Sequence, residues 1–228
     1  MATIRLGLDG EPLDYLDGCA LQRDLHDDVV LHRRDGALVI CQHASVYTAG
    51  RRTEPGDLPR DGSPVVETDR GGRITWHGPG QLVAYPIVRL PEPLDVVAHV
   101  RALEDVLLEV CAAVGVASVR VPGRSGAWLP GALTTSGRDE KVGAVGVRVA
   151  HGVTLHGVSL NCDNPLGPYA AIVPCGIADA GVTTLTRASG RPVSPADVAD
   201  LLDEALTRYI TSLAHRAART DRLLEATP

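Results

Sequence analysis

The sequence predicts an α+β fold, a mixed β-sheet with helices packed against it. Two observations carry that expectation. Three stretches, near the start, the middle and the end of the chain, repeat apolar residues every three or four positions, the helical period. Between them lie short apolar runs bounded by glycines, and the two longest are neighbours, as the arms of a hairpin would be. No repeat, low-complexity tract or Ser/Gly linker interrupts the 228 residues, so a single domain over residues 1–228 is expected.

The first helix is expected over residues 15–33, with Leu16, Ala20, Leu21, Leu25 and Val29 on its buried face, and residues 37–41 follow as a buried strand. An irregular Gly-rich loop, residues 69–81, leads into a strand over 82–88. Asp95 caps the second helix, whose Val96, Val100, Leu103, Leu107, Val110 and Val114 recur on one face. Gly115 stands where a left-handed stop belongs. Residues 118–121 and 126–129 read as short strands, and 142–149 with 153–161 as a hairpin. Ser194-Pro195-Ala196-Asp197 is a cap followed by proline at the first helical position. It opens a last helix over about 195–214, with Val198, Leu201, Leu202, Ala205, Leu206, Tyr209 and Leu213 inward.

Composition narrows the function. Hydrophobic residues make up 44% and charged ones 22%, which excludes disordered, collagen-like and coiled-coil classes. No run approaches the roughly 18 apolar residues of a membrane span, and the acidic first 18 residues do not read as a secretory signal, so a cytoplasmic protein with no membrane partner is expected. A net charge of −6 argues against a nucleic-acid partner. Five cysteines without an export signal do not form a disulfide framework, so each is either packing or chemistry.

Cys19, Cys41 and Cys111 fall at helix or strand positions that read as packing, and Cys162 ends a strand and is ambiguous. Cys175 differs, because Pro174-Cys175-Gly176 is a turn that would present its side chain as a nucleophile; an ordinary turn cysteine has the same surroundings. Among 22 basic residues Lys141 is the one lysine. Arginine cannot give up its proton in a protein and lysine can, so Lys141 reads either as a position that needs an amine or as a chance survivor of compositional drift. His151 and His156 are five apart in strand-like sequence and point to opposite faces, and no CxxC occurs, so no metal site is expected. In the loop, four glycines within ten residues let backbone amides approach a ligand, with Arg70, Arg73, Thr75 and His77 as donors, though a solvated Gly-rich hairpin would look similar. Its spacing fits neither the Walker loop nor the Rossmann fingerprint, so no nucleotide cofactor is implied.

The segment Arg70-Gly71-Gly72-Arg73-Ile74-Thr75-Trp76-His77-Gly78-Pro79-Gly80-Gln81-Leu82, with Tyr85-Pro86-Ile87 after it, resembles the signature loop of the lipoyl(octanoyl) transferases, the lipoate-protein ligase B family. Further matches follow in order: Arg124-Ser125-Gly126-Ala127-Trp128, Lys141 to Arg148, Thr154-Leu155-His156-Gly157, Leu160-Asn161-Cys162-Asp163 and Ile172 to Ile177, so that the resemblance covers about residues 38–185. It implies a biotin/lipoate protein ligase-like catalytic domain. It also implies transfer of an octanoyl or lipoyl group from acyl carrier protein, through a cysteine thioester, to a lysine on the lipoyl domains of 2-oxoacid dehydrogenases or on glycine cleavage H protein, the first step of endogenous protein lipoylation. No cofactor is implied. Carried over residue by residue, the acyl-bearing cysteine falls on Cys175 and the family's lysine on Lys141. The substrate-binding positions fall on Arg70, Gly71, Gly72, Arg73, Ile74, Thr75, Trp76 and His77, on Ala144, Val145 and Gly146, and on Gly157, Val158 and Ser159.

Two departures from the family carry expectations. Val158 stands where phenylalanine is common, which predicts a deeper or wider acyl tunnel, and the polar stretch 133–140 is longer than usual and is expected to act as a flap. The nearest rival is an ATP-dependent lipoate or biotin ligase, which needs no cysteine. A non-catalytic acyl-binding domain and a cysteine hydrolase using Cys175 and His77 are more distant alternatives.

Overall fold

The computed structural model describes residues 3–173 and 179–225, with side chains described as far as residue 214. Along the chain run β1 (Thr3–Leu6), α1 (Tyr15–Val30), β2 (Gly36–Cys41), β3 (Val46–Ala49), β4 (Val65–Glu67), β5 (Thr75–His77), β6 (Gln81–Val88) and α2 (Val96–Ala113). Then come β7 (Val119–Val121), β8 (Arg124–Leu129), β9 (Glu140–Ala150), β10 (Val153–Asn161), β11 (Gly181–Val182), α3 (Leu185–Ser189) and α4 (Pro195–Glu225). The main sheet has the order β1-β2-β6-β10-β9-β8-β7. It is mixed, because β1 joins β2 in parallel while β6, β10, β9 and β8 pair antiparallel. The β10–β9 pairing ends at Leu160 opposite Gly143, and β11 continues beside β9, parallel, with Val182 opposite Lys141. A second sheet, β4-β3-β5, stands apart from the first.

The central strands are buried on both faces, and their period of two sorts the side chains between two cores. Leu38 and Ile40 of β2, Leu82 and Ala84 of β6, and Val158 and Leu160 of β10 pack under α2 and α4. Val39 and Cys41, with Val83, Tyr85 and Ile87, pack under α1. Trp76, Ile74, Tyr169 and Ile172 form a separate small core behind the second sheet.

The α+β expectation stands, and most of the strands expected from the sequence are present. The hairpin turns at His151 and Gly152, both at positive φ (52° and 73°) as a tight primed turn requires. Asp95 Oδ1 caps α2 by accepting from Ala98 N at 2.8 Å, and Gly115 has φ 82°. The face expected for α1 is wrong by part of a turn. Leu16 is 59% exposed, while Gly18, Gln22 and His26 are buried beside Leu25 and Val29. The cause is close packing: a Cβ at Gly18 would lie 2.8 Å from His43 Cε1, so the glycine row faces the sheet and Leu16 turns out. α4 runs past residue 214 because the sequence from 214 to 225 holds no glycine or proline. The stretch expected to be a flap is tied to itself. Gly131 N donates to Asp139 Oδ1 (2.9 Å), Thr134 Oγ1 to Arg138 O (2.8 Å) and Ser136 Oγ to Glu140 Oε1 (2.8 Å).

Gly157, at the centre of the sheet, is required by space. A Cβ there would run into the Ala84 carbonyl and come within 2.7 Å of Pro86 Cδ, both on the neighbouring strand. Gly157→Ala is expected to cost about 2 kcal/mol by overpacking, lowering the melting temperature by roughly 4–8 °C for a chain of this size. A melting curve within 1–2 °C of wild type would contradict this.

Candidate active site

β9 and β10 build one wall of the principal cavity, whose volume is about 720 Å³. Their register pairs Ala144 with Ser159, Val145 with Val158 and Gly146 with Gly157, so the two family segments lie side by side as cross-strand partners. The loop before β5 builds the opposite wall. Gly71 N donates to Val147 O at 2.9 Å, and at Gly146 a Cβ would lie 3.2 Å from Arg70 Cδ and 3.3 Å from Gly71 O, so the loop sits closely against the sheet there. On β5, alternation turns Thr75 and His77 into the cavity and Trp76 away into the small core with Ile74.

Of the expected site residues, Lys141, Arg70, Gly72, Arg73, Thr75, His77, Ala144, Val145, Gly146, Gly157, Val158 and Ser159 line this cavity. Ile74 and Trp76 do not, and Gly71 serves as the tie to β9. Cys175 lies outside the described residues. The ends of the chain around it are placed: Val173 N donates to Asp57 O at 3.3 Å, and Asp179 pairs with Arg124 at 2.6 Å.

The arginines expected as ligand donors are committed to the protein. Arg70, buried, donates through Nη2 to Thr48 O (2.7 Å) and Thr48 Oγ1 (2.9 Å) and through Nη1 to Arg73 O (2.8 Å), which locks the loop against β3. Arg73 pairs with buried Asp57 at 3.2 Å and also with Glu54. Both shape the cavity wall from behind. Lys141, 7% exposed, sits opposite Trp128 on β8, with Nζ 4.6 Å from the Trp128 ring centroid.

His77 is neutral. Gln81 Nε2 donates to Asn161 Oδ1 (2.9 Å) and to the Tyr169 hydroxyl (2.8 Å), so Gln81 Oε1 accepts from His77 Nδ1–H at 2.6 Å and leaves Nε2 as an acceptor. Burial, then the neighbouring His43, pushes the His77 imidazole down to about 3, and its ring stacks on Tyr15 at 5.9 Å. Burial, with Arg70, Arg148 and Arg23, takes His156 down to about 4. Asp69 Oδ1 lies 2.7 Å from His156 Nε2, but that carboxylate already shares its charge with Arg148. Burial likewise takes His99 of α2, whose Nδ1 lies 2.6 Å from the Tyr209 hydroxyl of α4, down to about 4.

These shifts have one sign. An unfolded histidine titrates near 6.5, so between about pH 6.5 and 4 the unfolded chain takes up protons that folded His77 and His99 refuse, and stability falls as the pH falls. The melting temperature is expected to drop steadily from pH 7 to pH 5, less steeply in His99→Gln, a position that does not line the cavity. Equal slopes for the two proteins would refute the assignment to His99.

Several cavity residues were missed from the sequence: Tyr15, Arg51, Arg52, Thr53, Glu54, Val83, Tyr85, Gly123, Ser125 and His156. In a chain where all basic residues but one are arginine, an arginine pair carries no signal. His156 reaches the cavity because its φ of 59° breaks the alternation of β10.

The model of the lipoyl protein ligase A/B catalytic domain matches residues 14–207. The chain belongs to that family. Among lipoyl ligase A/B relatives, an octanoyltransferase of Clavibacter sepedonicus is 60% identical over 207 residues, covering 90% of this chain and 89% of its own length. One of Mycobacterium avium (strain 104) is 59% identical over 208 residues, covering 89% and 88%. A bipartite lipoate protein ligase from Thermoplasma acidophilum shares the fold with a TM-score of 0.64 at 13% identity, over 91% of this chain and 83% of that one. The biotin/lipoate ligase-like architecture expected from the sequence is therefore the one observed. Among the described residues of this family member, no helix is long and apolar enough to cross a membrane.

Proposed function

We propose that the chain is an octanoyltransferase of protein lipoylation, working as one cytoplasmic catalytic domain. It moves an octanoyl group from acyl carrier protein through a thioester on Cys175 to the lysine of a lipoyl domain or of glycine cleavage H protein. The observation that carries this is the convergence of the loop, β9, β10 and Lys141 on one cavity, in a chain 60% identical to an octanoyltransferase.

Two facts support Cys175 as the carrier. Both described ends of the segment that holds it are tied at the cavity's edge: Asp57, which takes Val173 N, pairs with cavity-lining Arg73, and Arg124, which takes Asp179, flanks Gly123 and Ser125. Three of the four described thiols are buried away from substrate, with burial pushing Cys41 up to about 12 and Cys111 to about 11 and raising Cys162, and burial raises the partly exposed Cys19 as well. A free thiol near 8.5 is a few per cent thiolate at neutral pH, so an adjacent amine helps by taking its proton. In the first step the thiolate attacks the donor carbonyl and the carrier thiol leaves with a proton. In the second, Lys141 accepts a proton from the incoming lysine ammonium as the amide forms and the Cys175 thiol is released. Thioester-to-thioester exchange is nearly isoenergetic and amide formation is downhill, so no ATP is consumed.

The test is direct. Octanoyl-carrier protein and a lipoyl domain, mixed with the enzyme without ATP, should give a lipoyl domain heavier by one octanoyl group. Transfer that requires ATP and free octanoate would favour a ligase, and free octanoate as product a hydrolase.

Burying the seven apolar carbons beyond the carbonyl stabilises binding by about 5–6 kcal/mol. Val158 lies between the cavity and the core under α2 and α4. Val158→Phe is therefore expected to shorten the preferred chain, with decanoyl donor rivalling octanoyl in wild type and falling behind it in the variant. Each methylene excluded lowers kcat/KM about fourfold. Coincident chain-length profiles would show that another residue closes the tunnel.

A further inference from the structure

Beside the main cavity lies a second one of about 400 Å³, and the two share Arg51 and His156 in their walls. Gln22 of α1 lines it and is 2% exposed. Its Oε1 accepts the His156 N–H at 2.9 Å, and its Nε2 has no hydrogen-bond partner among the described residues. Because the backbone bond fixes which end of the amide is oxygen, the unsatisfied atom is a donor, and a buried donor without an acceptor is a standing cost to the fold. Arg23 and Arg51 are exposed on the same cavity, and neither has a carboxylate in ion-pair reach among the described residues. Arg73 and Arg148, by contrast, are each held by an aspartate. Leu16 and Leu155 add apolar wall.

We infer that this second cavity holds the pantetheine arm of the thioester donor, with an arm amide carbonyl accepting from Gln22 Nε2 and the arm's phosphate between Arg51 and Arg23. The inference rests on the reading above that the octanoyl group arrives as a carrier thioester. An extended arm presents amide carbonyls that have no internal partner, which is what an orphaned donor requires. Glu67 and Asp69 also line the cavity, but Asp69 is held by Arg148 and neither carboxylate is in ion-pair reach of Arg51 or Arg23, so the two arginines suit a phosphate. The wall shared with the main cavity joins the arm to the place where the acyl chain is buried.

The test uses the full chain, a lipoyl domain as acceptor, and octanoyl thioesters of four thiols: propanethiol, N-acetylcysteamine, pantetheine and 4′-phosphopantetheine. Octanoyl-carrier protein is the positive control. In wild type, the addition of the contacted amide and the addition of the phosphate should each raise kcat/KM about five- to tenfold. In Gln22→Glu, which keeps the oxygen for His156 N–H but replaces the donor, the amide gain should fall below twofold while the phosphate gain persists. In Arg51→Gln the phosphate gain should collapse and the amide gain persist, and this variant decides the matter if Gln22→Glu does not fold. Gains unchanged in both variants would overturn the inference. So would a raised KM for the lipoyl domain with the donor gains intact, since the cavity would then belong to the acceptor. If wild type transfers from none of the donors, carrier protein included, the octanoyltransferase reading itself falls.

Discussion

Cys175→Ser is expected to abolish the acyl-enzyme and to lower the rate of octanoyl transfer by roughly 10⁴-fold or more. A serine hydroxyl is a far weaker acid than a thiol, and the oxygen ester it would form no longer exchanges evenly with the donor thioester. Wild type incubated with octanoyl-carrier protein and no acceptor should gain one octanoyl group, labile to hydroxylamine and mapping to the peptide that holds Cys175. Among the described thiols only Cys19 is partly exposed, lining the second cavity, whereas Cys41, Cys111 and Cys162 are buried in the cores. Cys19 is therefore the competing site. Acylation that maps to Cys19, or that survives in Cys175→Ser, would overturn the assignment.

Lys141→Arg is expected to lose nearly as much activity as Lys141→Ala, about 10²–10⁴-fold in kcat, even though the charge is kept. The proposed role takes a proton from the incoming ammonium, and a guanidinium cannot do so at neutral pH. The site also has little room: Lys141 is 7% exposed, faces Trp128, and lies on a strand held by β8 on one side and β11 on the other. Single-turnover measurements separate the steps. The arginine variant should form the acyl-enzyme slowly and pass it on more slowly still, and its transfer rate should keep rising at alkaline pH as the acceptor lysine deprotonates by itself. An arginine variant retaining most of its activity would make Lys141 an anchor through charge alone.

Local sequence determined a good deal here, because the signals were short-range. Helix starts at Asp95 and Ser194-Pro195, the stop at Gly115 and the β9–β10 hairpin follow from capping, from positive φ at glycine and from strand periodicity, all of which act within a few residues. The order of motifs likewise sufficed to bring the loop, Ala144–Gly146, Gly157–Ser159 and Lys141 into one expected site. What the tertiary structure alone decided concerns partners distant in the chain. The inward face of α1 depends on His43 pressing against Gly18, a contact between residues 25 positions apart, so hydrophobic spacing pointed to Leu16 instead. β1, β3, β4 and β11 have two to four residues each, too few to show a period, and become strands only by pairing with segments distant in the chain. Arg70 and Arg73 look like ligand donors in one dimension, and only the fold brings Thr48, Asp57 and Glu54 to occupy them, while Arg51 and Arg23 have no carboxylate in ion-pair reach among the described residues. A side chain's chemistry is written in the sequence, but whether its hydrogen bonds are already spent is settled by residues that the fold alone makes neighbours.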